Sequence, residues 1–184
     1  PPRRTRSADR APAGDPLRRE LARLSAGAGS TDTADQAVAI TTALVQRARR
    51  QLWIHSRVLD PGLLDAPPVL EAQRRFATAR HDKQVCLIVH DASAIASAGS
   101  PLLGLIQRLP TVFRVRQVTD PIDRAVASAC LLNDVGDYYF RLSGHRLDGE
   151  AGLALPARSR PLQDGLQRVW ERSRDCSELR ALGL

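Results

Sequence analysis

Ala127-Ser128-Ala129-Cys130-Leu131-Leu132-Asn133-Asp134 is the stretch on which the fold of this chain turns. A short apolar run ends in polar residues, and Asp134-Val135-Gly136-Asp137 leads directly into Tyr138-Tyr139-Phe140-Arg141-Leu142. Two β-prone runs joined by an Asp/Gly turn predict an antiparallel hairpin of strands over Ala127–Leu132 and Tyr138–Leu142. The hairpin is expected to form the antiparallel edge of a mixed sheet.

Upstream, helix and strand signals alternate. Asp32 is placed to cap a helix in which Ala37, Val38, Leu44, Val45 and Ala48 share a face. Arg47, Arg49 and Arg50 put cations at its C-terminal end, where the helix dipole favours them. Leu52–His55 follows as a strand. Asp65 caps a second helix, with Pro67 and Pro68 in its first turn and Val69, Phe76 and Ala77 in a stripe. Val85–Val89 is then a continuous apolar run, as in sheets covered on both faces. A third unit starts at Ser100-Pro101, turns Leu102, Leu105, Ile106 and Leu109 inward, and leads to a strand over Val112–Val118. After the hairpin come a weaker strand near Leu153–Leu155 and a last helix from Ser159-Arg160-Pro161, with Leu162, Leu166, Val169 and Trp170 on one face. Leu179, Leu182 and Leu184 are the residues expected to dock the C-terminus. This order predicts an α/β sandwich: a mixed, mostly parallel sheet with an antiparallel hairpin and helices on both faces.

The chain has 184 residues, 43% of them hydrophobic, which suits one domain with a substantial core. Residues 1–31 read as a flexible Arg/Pro-rich linker with a short helix over Leu17, Leu21 and Leu24, and 32–184 as a single domain. The formal net charge is +7, and residues 1–31, with 7 Arg against 3 acidic groups, supply +4 of it. The remainder is nearly balanced, so charge alone is weak evidence for a basic face on the folded part. No run approaches the roughly 18 apolar residues of a membrane helix, and the N-terminal stretch lacks the apolar centre of a signal peptide. A cytoplasmic location and no membrane contact are expected. The chain contains no methionine, and a piece of a longer protein is expected. Cys86, Cys130 and Cys176 lack metal or redox spacing and read as buried free thiols.

The element order, together with Ala127–Asp134, is similar to one half of the phospholipase D superfamily over about residues 32–175. Members carry His-x-Lys-x-x-x-x-Asp on a late strand before a hairpin. Here the corresponding positions are Ala127, Ala129 and Asp134. Ser56-Arg57-Val58-Leu59-Asp60, after the first strand, also resembles what such domains carry there. More narrowly, the chain resembles a bacterial phospholipase-D-like domain often attached to, or found beside, an N-acetyltransferase domain. In active members the histidine is the nucleophile, a second histidine from the partner half protonates the leaving group, and the lysine binds phosphate. None of these roles carries over to a methyl side chain. Loss of a nucleophile costs on the order of 10⁶ in rate. The resemblance thus implies the fold and pairing of half-domains, and argues against phosphodiesterase chemistry.

Strand parity puts Arg114 with Arg116, and Tyr139 with Arg141. If those strands are neighbours, three guanidinium groups and a phenol converge on an anion. The alternatives are internal pairing with Asp60, Asp91 or Asp134, or a solvated face. Ser56, Arg57 and Asp60 follow the first strand, and His90 and Asp91 the second, so these five are candidates for a pocket at the strand ends. His90-Asp91 reads equally as a loop hydrogen bond or a helix cap. Asp134, the one motif position retained, is a ligand candidate and, more simply, a turn residue. His55, His81, His90 and His145 show no metal-ligand spacing, so no metal is expected. No Gly-rich phosphate loop follows a strand and no Gly-x-Ser-x-Gly elbow exists, so no cofactor is expected. Trp53 and Trp170 read as packing residues.

Three functions follow. The first is a non-catalytic binding or regulatory module with an anionic ligand, pairing as a homodimer or with an attached acetyltransferase domain. The second is a divergent phosphodiesterase or nuclease using the Arg cluster with His90 or Asp91. The third is nucleic-acid binding by charge alone.

Overall fold

The computed structural model describes residues 22–24, 27–79 and 82–179. Its strands are β1 (Gly29–Thr31), β2 (Gln51–His55), β3 (Gln84–Val89), β4 (Phe113–Gln117), β5 (Ala129–Asn133), β6 (Tyr138–Arg141), β7 (Gly149–Gly152) and β8 (Arg174–Asp175). Its helices are α1 (Ala34–Arg47), α2 (Pro67–Thr78), α3 (Ala92–Ala98), α4 (Pro101–Arg108), α5 (Pro121–Arg124) and α6 (Pro156–Arg172), followed by a 3₁₀ turn at Ser177–Leu179. The strands form one mixed sheet in the order β1–β7–β6–β5–β2–β3–β4–β8.

The expected mixed α/β sandwich forms, with a smaller parallel share than expected. β2, β3 and β4 are parallel neighbours, each reached through helices. The other ladders are antiparallel. The hairpin inserts against β2 at the centre, and β7 and β1 extend its antiparallel part outward.

The register assigns each strand residue to a face. Leu52, Ile54, Val85, Leu87, Leu131 and Tyr139 pack with Ile40 and Leu44 of α1, Phe76 of α2 and Leu102 of α4. Trp53, Cys86, Ile88, Leu132 and Tyr138 pack against Leu166 of α6. Continuous apolar strands follow from this double cover. Trp53 and Trp170 meet edge to face with ring centroids 5.6 Å apart, the packing role read for them. All three cysteines are buried free thiols, and burial pushes them up to about 11 for Cys86 and Cys176 and about 12 for Cys130.

Several boundaries move for local reasons. Thr33, not Asp32, caps α1: its hydroxyl accepts from Gln36 N at 3.2 Å while Gln36 Oε1 accepts from Thr33 N at 3.2 Å, a reciprocal capping box. Asp65 does not cap α2. It accepts from Gly62 N at 2.6 Å, and Ala66 is the N-cap, with the prolines in the first turn as expected. Residues 29–31, read as the end of a linker, pair with β7, and Leu24 is fully buried. The weak strand falls at Gly149–Gly152 rather than Leu153–Leu155. A Cβ at Gly149 would collide with the Phe140 carbonyl, and one at Gly152 would lie 2.8 Å from the Tyr138 ring. The last helix starts at Pro156, which puts Pro161 inside it. Leu17, Leu21, His81, Leu182 and Leu184 lie outside the described residues.

Candidate functional site

β2, β3, β4 and β6 all end at one edge of the sheet, because β5 runs antiparallel to both β2 and β6. Chain leaving these strands builds the candidate site, and the chain entering β5 brings Ala127 and Ala129 to it.

Ala129 is fully buried and pairs with Arg141 across the β5–β6 ladder. Arg141 Nη2 donates to Asp60 Oδ2, and Arg141 Nη1 donates to the carbonyls of Arg146 at 3.0 Å and Gly144 at 3.3 Å. Ser56 Oγ donates to the other Asp60 oxygen at 2.8 Å. Both side chains of the ion pair are buried. Burial pushes the Asp60 carboxyl above the usual carboxylate range, while Arg141 and the Ser56 hydroxyl pull it back. Leu59 and Asp60 hold the chain in the left-handed region, at φ 66° and 38°. For a buried leucine that backbone is strained, and the Asp60 bonds fix it. The Tyr139 hydroxyl donates to the Leu147 carbonyl. Only about 10 Å³ of cavity remains beside these groups, at most the room of a single water.

The loop after β6 closes the entrance. Gly144 N donates to Ala127 O at 2.7 Å. A Cβ at Gly144 would lie 3.4 Å from that oxygen and 3.5 Å from the Ala129 methyl. Ala127 itself is exposed. Beside it, Arg57 is half-buried and, among the described residues, donates only to the Val126 carbonyl, at 3.5 Å.

A second cluster lies at the ends of β2 and β3. His55 Nε2 and His90 Nε2 are 2.8 Å apart. His55 is 4% exposed, and burial, then the neighbouring His90, push its imidazole down to about 4. His90 is pushed down by burial and by Arg57 and Arg124, with Asp123 opposing. Two neutral imidazoles can share one Nε2–H···Nε2 bond if each takes a different tautomer. His90 Nδ1 is buried without a partner. Asp123, which faces both rings electrostatically, is itself held by Arg172 at 2.7 and 3.0 Å. The pair is therefore neutral near pH 7, with His55 enclosed and His90 half-buried.

The remaining candidates separate. Asp91 Oδ1 accepts from Ala94 N at 2.9 Å and caps α3, the helix-cap alternative for that residue. Arg114 and Arg116 do not converge with Tyr139 and Arg141. β4 and β6 are four strand steps apart, roughly 19 Å, and the two pairs lie on opposite faces. Arg116 bonds Asp175 at 3.2 Å and the Trp170 carbonyl at 2.8 Å. Asp134 sits at the far end of β5, roughly 17 Å from Ala129, and accepts from Arg49 N and Arg50 N at 2.8 Å each. It anchors the chain entering β2. His55 was not among the sequence candidates. The available signal was its place at the end of β2, one register step from the residues preceding His90. His145 is exposed. Among the described residues, no three His, Cys, Asp or Glu side chains gather as a metal site requires.

This architecture is that of a phospholipase-D-like fold. The chain is similar to Nuc, a phospholipase D family member from Salmonella typhimurium, with TM-score 0.53 and 12% identity over 81% of this chain and 95% of that one. It is also similar to TrmBL2, an archaeal chromatin protein described as showing a novel mode of DNA binding, with TM-score 0.59 and 10% identity. That match covers 86% of this chain, which spans 62% of the length of the TrmBL2 chain. No curated protein matches in sequence. Residues 33–182 match the family described as Domain of unknown function (DUF7931), and the chain belongs to that family.

Proposed function

We propose that this domain is a phospholipase-D-like binding module that recognises a partner at its carboxyl-edge rim instead of cleaving phosphodiesters. The observation that carries this reading is the Ala129–Arg141 pair. The position of the superfamily lysine is a buried methyl group. The guanidinium opposite it is occupied by Asp60 and two carbonyls, and the Gly144 loop lies against Ala127 and Ala129. Ala127 and Ala129 offer no nucleophile to attack phosphorus, and Arg141 is already engaged, which leaves Arg57 to contact a partner.

The rim supports recognition. Val58, Ile122 and Leu142 are the exposed large hydrophobics of the described residues, and Ile122 and Leu142 are 79% and 82% exposed. They follow β2, β4 and β6, so all three lie at the edge that also carries Arg57. Exposed apolar side chains spaced along one end of the sheet suit a broad protein partner, and a second copy of this chain is the simplest one. The same reading accommodates an attached domain, such as an acetyltransferase.

Sedimentation velocity at rising concentration, with Leu142→Glu and Ile122→Glu alongside, tests the pairing. Dimerisation lost in both variants supports it, and a strict monomer at high concentration removes self-pairing. Hydrolysis of bis(p-nitrophenyl) phosphate tests the absence of chemistry. Turnover abolished by His90→Ala would replace this reading with a divergent enzyme built on the His55–His90 pair.

The likeness to TrmBL2 and the +7 charge favour nucleic acid as a second reading. It requires steep salt dependence that disappears when residues 1–31 are deleted.

A further inference from the structure

A cavity of about 390 Å³ lies away from the rim, between the first half of β4, the loop before it and the end of α6. Among the described residues β8 pairs with Arg116 and Gln117, and Cys176 N donates to Val115 O at 3.1 Å, which leaves Phe113 and Arg114 at the start of β4 without a neighbouring strand on that side. Its size falls in the range of small-molecule pockets, which run from roughly 300 to 1,000 Å³.

Its lining combines two chemistries. Trp170 supplies an aromatic surface on the face of Arg114 and Arg116, and the largely buried Ile106, Phe113 and Leu179 line the cavity from the other side of the sheet edge. Arg114 and Arg116 project from the same face of β4, two residues apart. Arg116 is fixed: its guanidinium lies 4.7 Å from the centre of the Trp170 ring and bonds Asp175 and the Trp170 carbonyl. Asp175 is the carboxylate of the lining, and Arg116 uses it. Arg114 has no hydrogen bond or ion pair among the described residues. The cavity thus holds one exposed guanidinium, without a carboxylate partner among the described residues, beside a stacked Arg–Trp pair and an apolar lining. A guanidinium fork presents paired donors to a carboxylate or phosphate, and the apolar lining favours a flat hydrocarbon body over a bare ion.

We propose that this cavity binds a small anion with a flat apolar body, an aromatic carboxylate or aryl phosphate monoester, with Arg114 holding the anionic head. The site is independent of the rim and stands whether or not the rim pairs.

The test is a ¹H–¹⁵N NMR titration of the full chain, following the two indole N–H resonances, with Trp170→Phe assigning them. The probes are 1-naphthoate, 1-naphthyl phosphate, the neutral 1-naphthylmethanol and inorganic phosphate. Saturable shifts of the Trp170 indole by either aryl anion, with a dissociation constant on the order of 10⁻⁴–10⁻³ M, are expected. The tighter of the two anions names the head group. Arg114→Gln, at an exposed position, keeps the wild-type circular dichroism and weakens binding about tenfold. The neutral alcohol and inorganic phosphate each bind at least about tenfold more weakly than the aryl anion. Three results overturn the proposal: no saturation by either aryl anion below about 10 mM, unchanged affinity in Arg114→Gln, or equal affinity for the alcohol or for phosphate alone.

Discussion

Arg141 and Asp60 form a buried ion pair that joins β6 to the strained chain leaving β2, directly opposite the methyl group of Ala129. Removing one partner leaves a buried charge without its counterion. Arg141→Met and Asp60→Ala are each expected to destabilise the fold by about 3–5 kcal/mol in urea unfolding. The double variant Asp60→Asn/Arg141→Met is expected to cost much less than the summed singles, because no unpaired charge remains. A single-variant cost below about 1 kcal/mol would show that the pair is not the centre's structural tie.

The His55–His90 contact makes stability depend on acid. His55 titrates at about 4 when folded, against roughly 6.5 in an unfolded chain. The folded state therefore binds fewer protons in that interval, so stability is full above roughly pH 6.5 and falls as pH drops toward 4. The loss reaches about 3 kcal/mol across the window. His90→Gln removes the neighbouring imidazole and is expected to raise the His55 midpoint while leaving it below 6.5, read from ring ¹H shifts. A wild-type His55 midpoint near 6.5 refutes the enclosed neutral pair.

Asp134, which keeps the residue type of the superfamily position, is expected to behave as an anchor. Asp134→Ala releases Arg49 N and Arg50 N, and the expected loss is about 1–2 kcal/mol at this exposed site. Asp134→Asn retains an acceptor and is expected to lose less. Neither variant is expected to alter binding at the rim or in the Arg114 cavity. Altered ligand affinity with unchanged stability would return Asp134 to the list of ligand residues.

The parts of the fold with strong local signals were legible. Val85–Val89, Leu52–His55 and the hairpin read as strands because buried parallel and central strands are uniformly apolar. The helix start at Ser100-Pro101 was legible because Pro101 fits a first helical turn, and in the structure Ser100 caps it. β7 was illegible because Gly-Glu-Ala-Gly has no β-former; it is a strand only because Phe140 and Tyr138 leave no room for side chains at Gly149 and Gly152. α3, made of Ala, Ser and Ile95, lacks an amphipathic stripe and surfaces only through its Asp91 cap. In the site, parity grouped Arg114 with Arg116 and Tyr139 with Arg141 correctly. It could not give the strand order, which puts three strands between the groups and turns them to opposite faces. His55 stayed hidden because its partner is 35 residues away and meets it only at neighbouring strand ends.

Placing the histidine and lysine of the phospholipase D motif at Ala127 and Ala129 tests whether this end of β5 can accept them. Ala127 is exposed, so Ala127→His is expected to shift stability by less than about 0.5 kcal/mol. Ala129 is fully buried across from Arg141, so Ala129→Lys puts a second cation beside a guanidinium whose one carboxylate is taken. The added side chain must also displace Gly144, 3.5 Å from the Ala129 methyl as measured to an added Cβ. Overpacking and an unpaired buried charge together predict a loss of about 3 kcal/mol or more. The double variant is therefore expected to unfold more readily and to show no phosphodiester turnover. Arg141→Ala placed in that background is expected to recover stability, since it frees both the volume and the Asp60 carboxylate for the new lysine. A double variant as stable as wild type that turns over bis(p-nitrophenyl) phosphate would mean that the cleft is intact and lacks only its reagents.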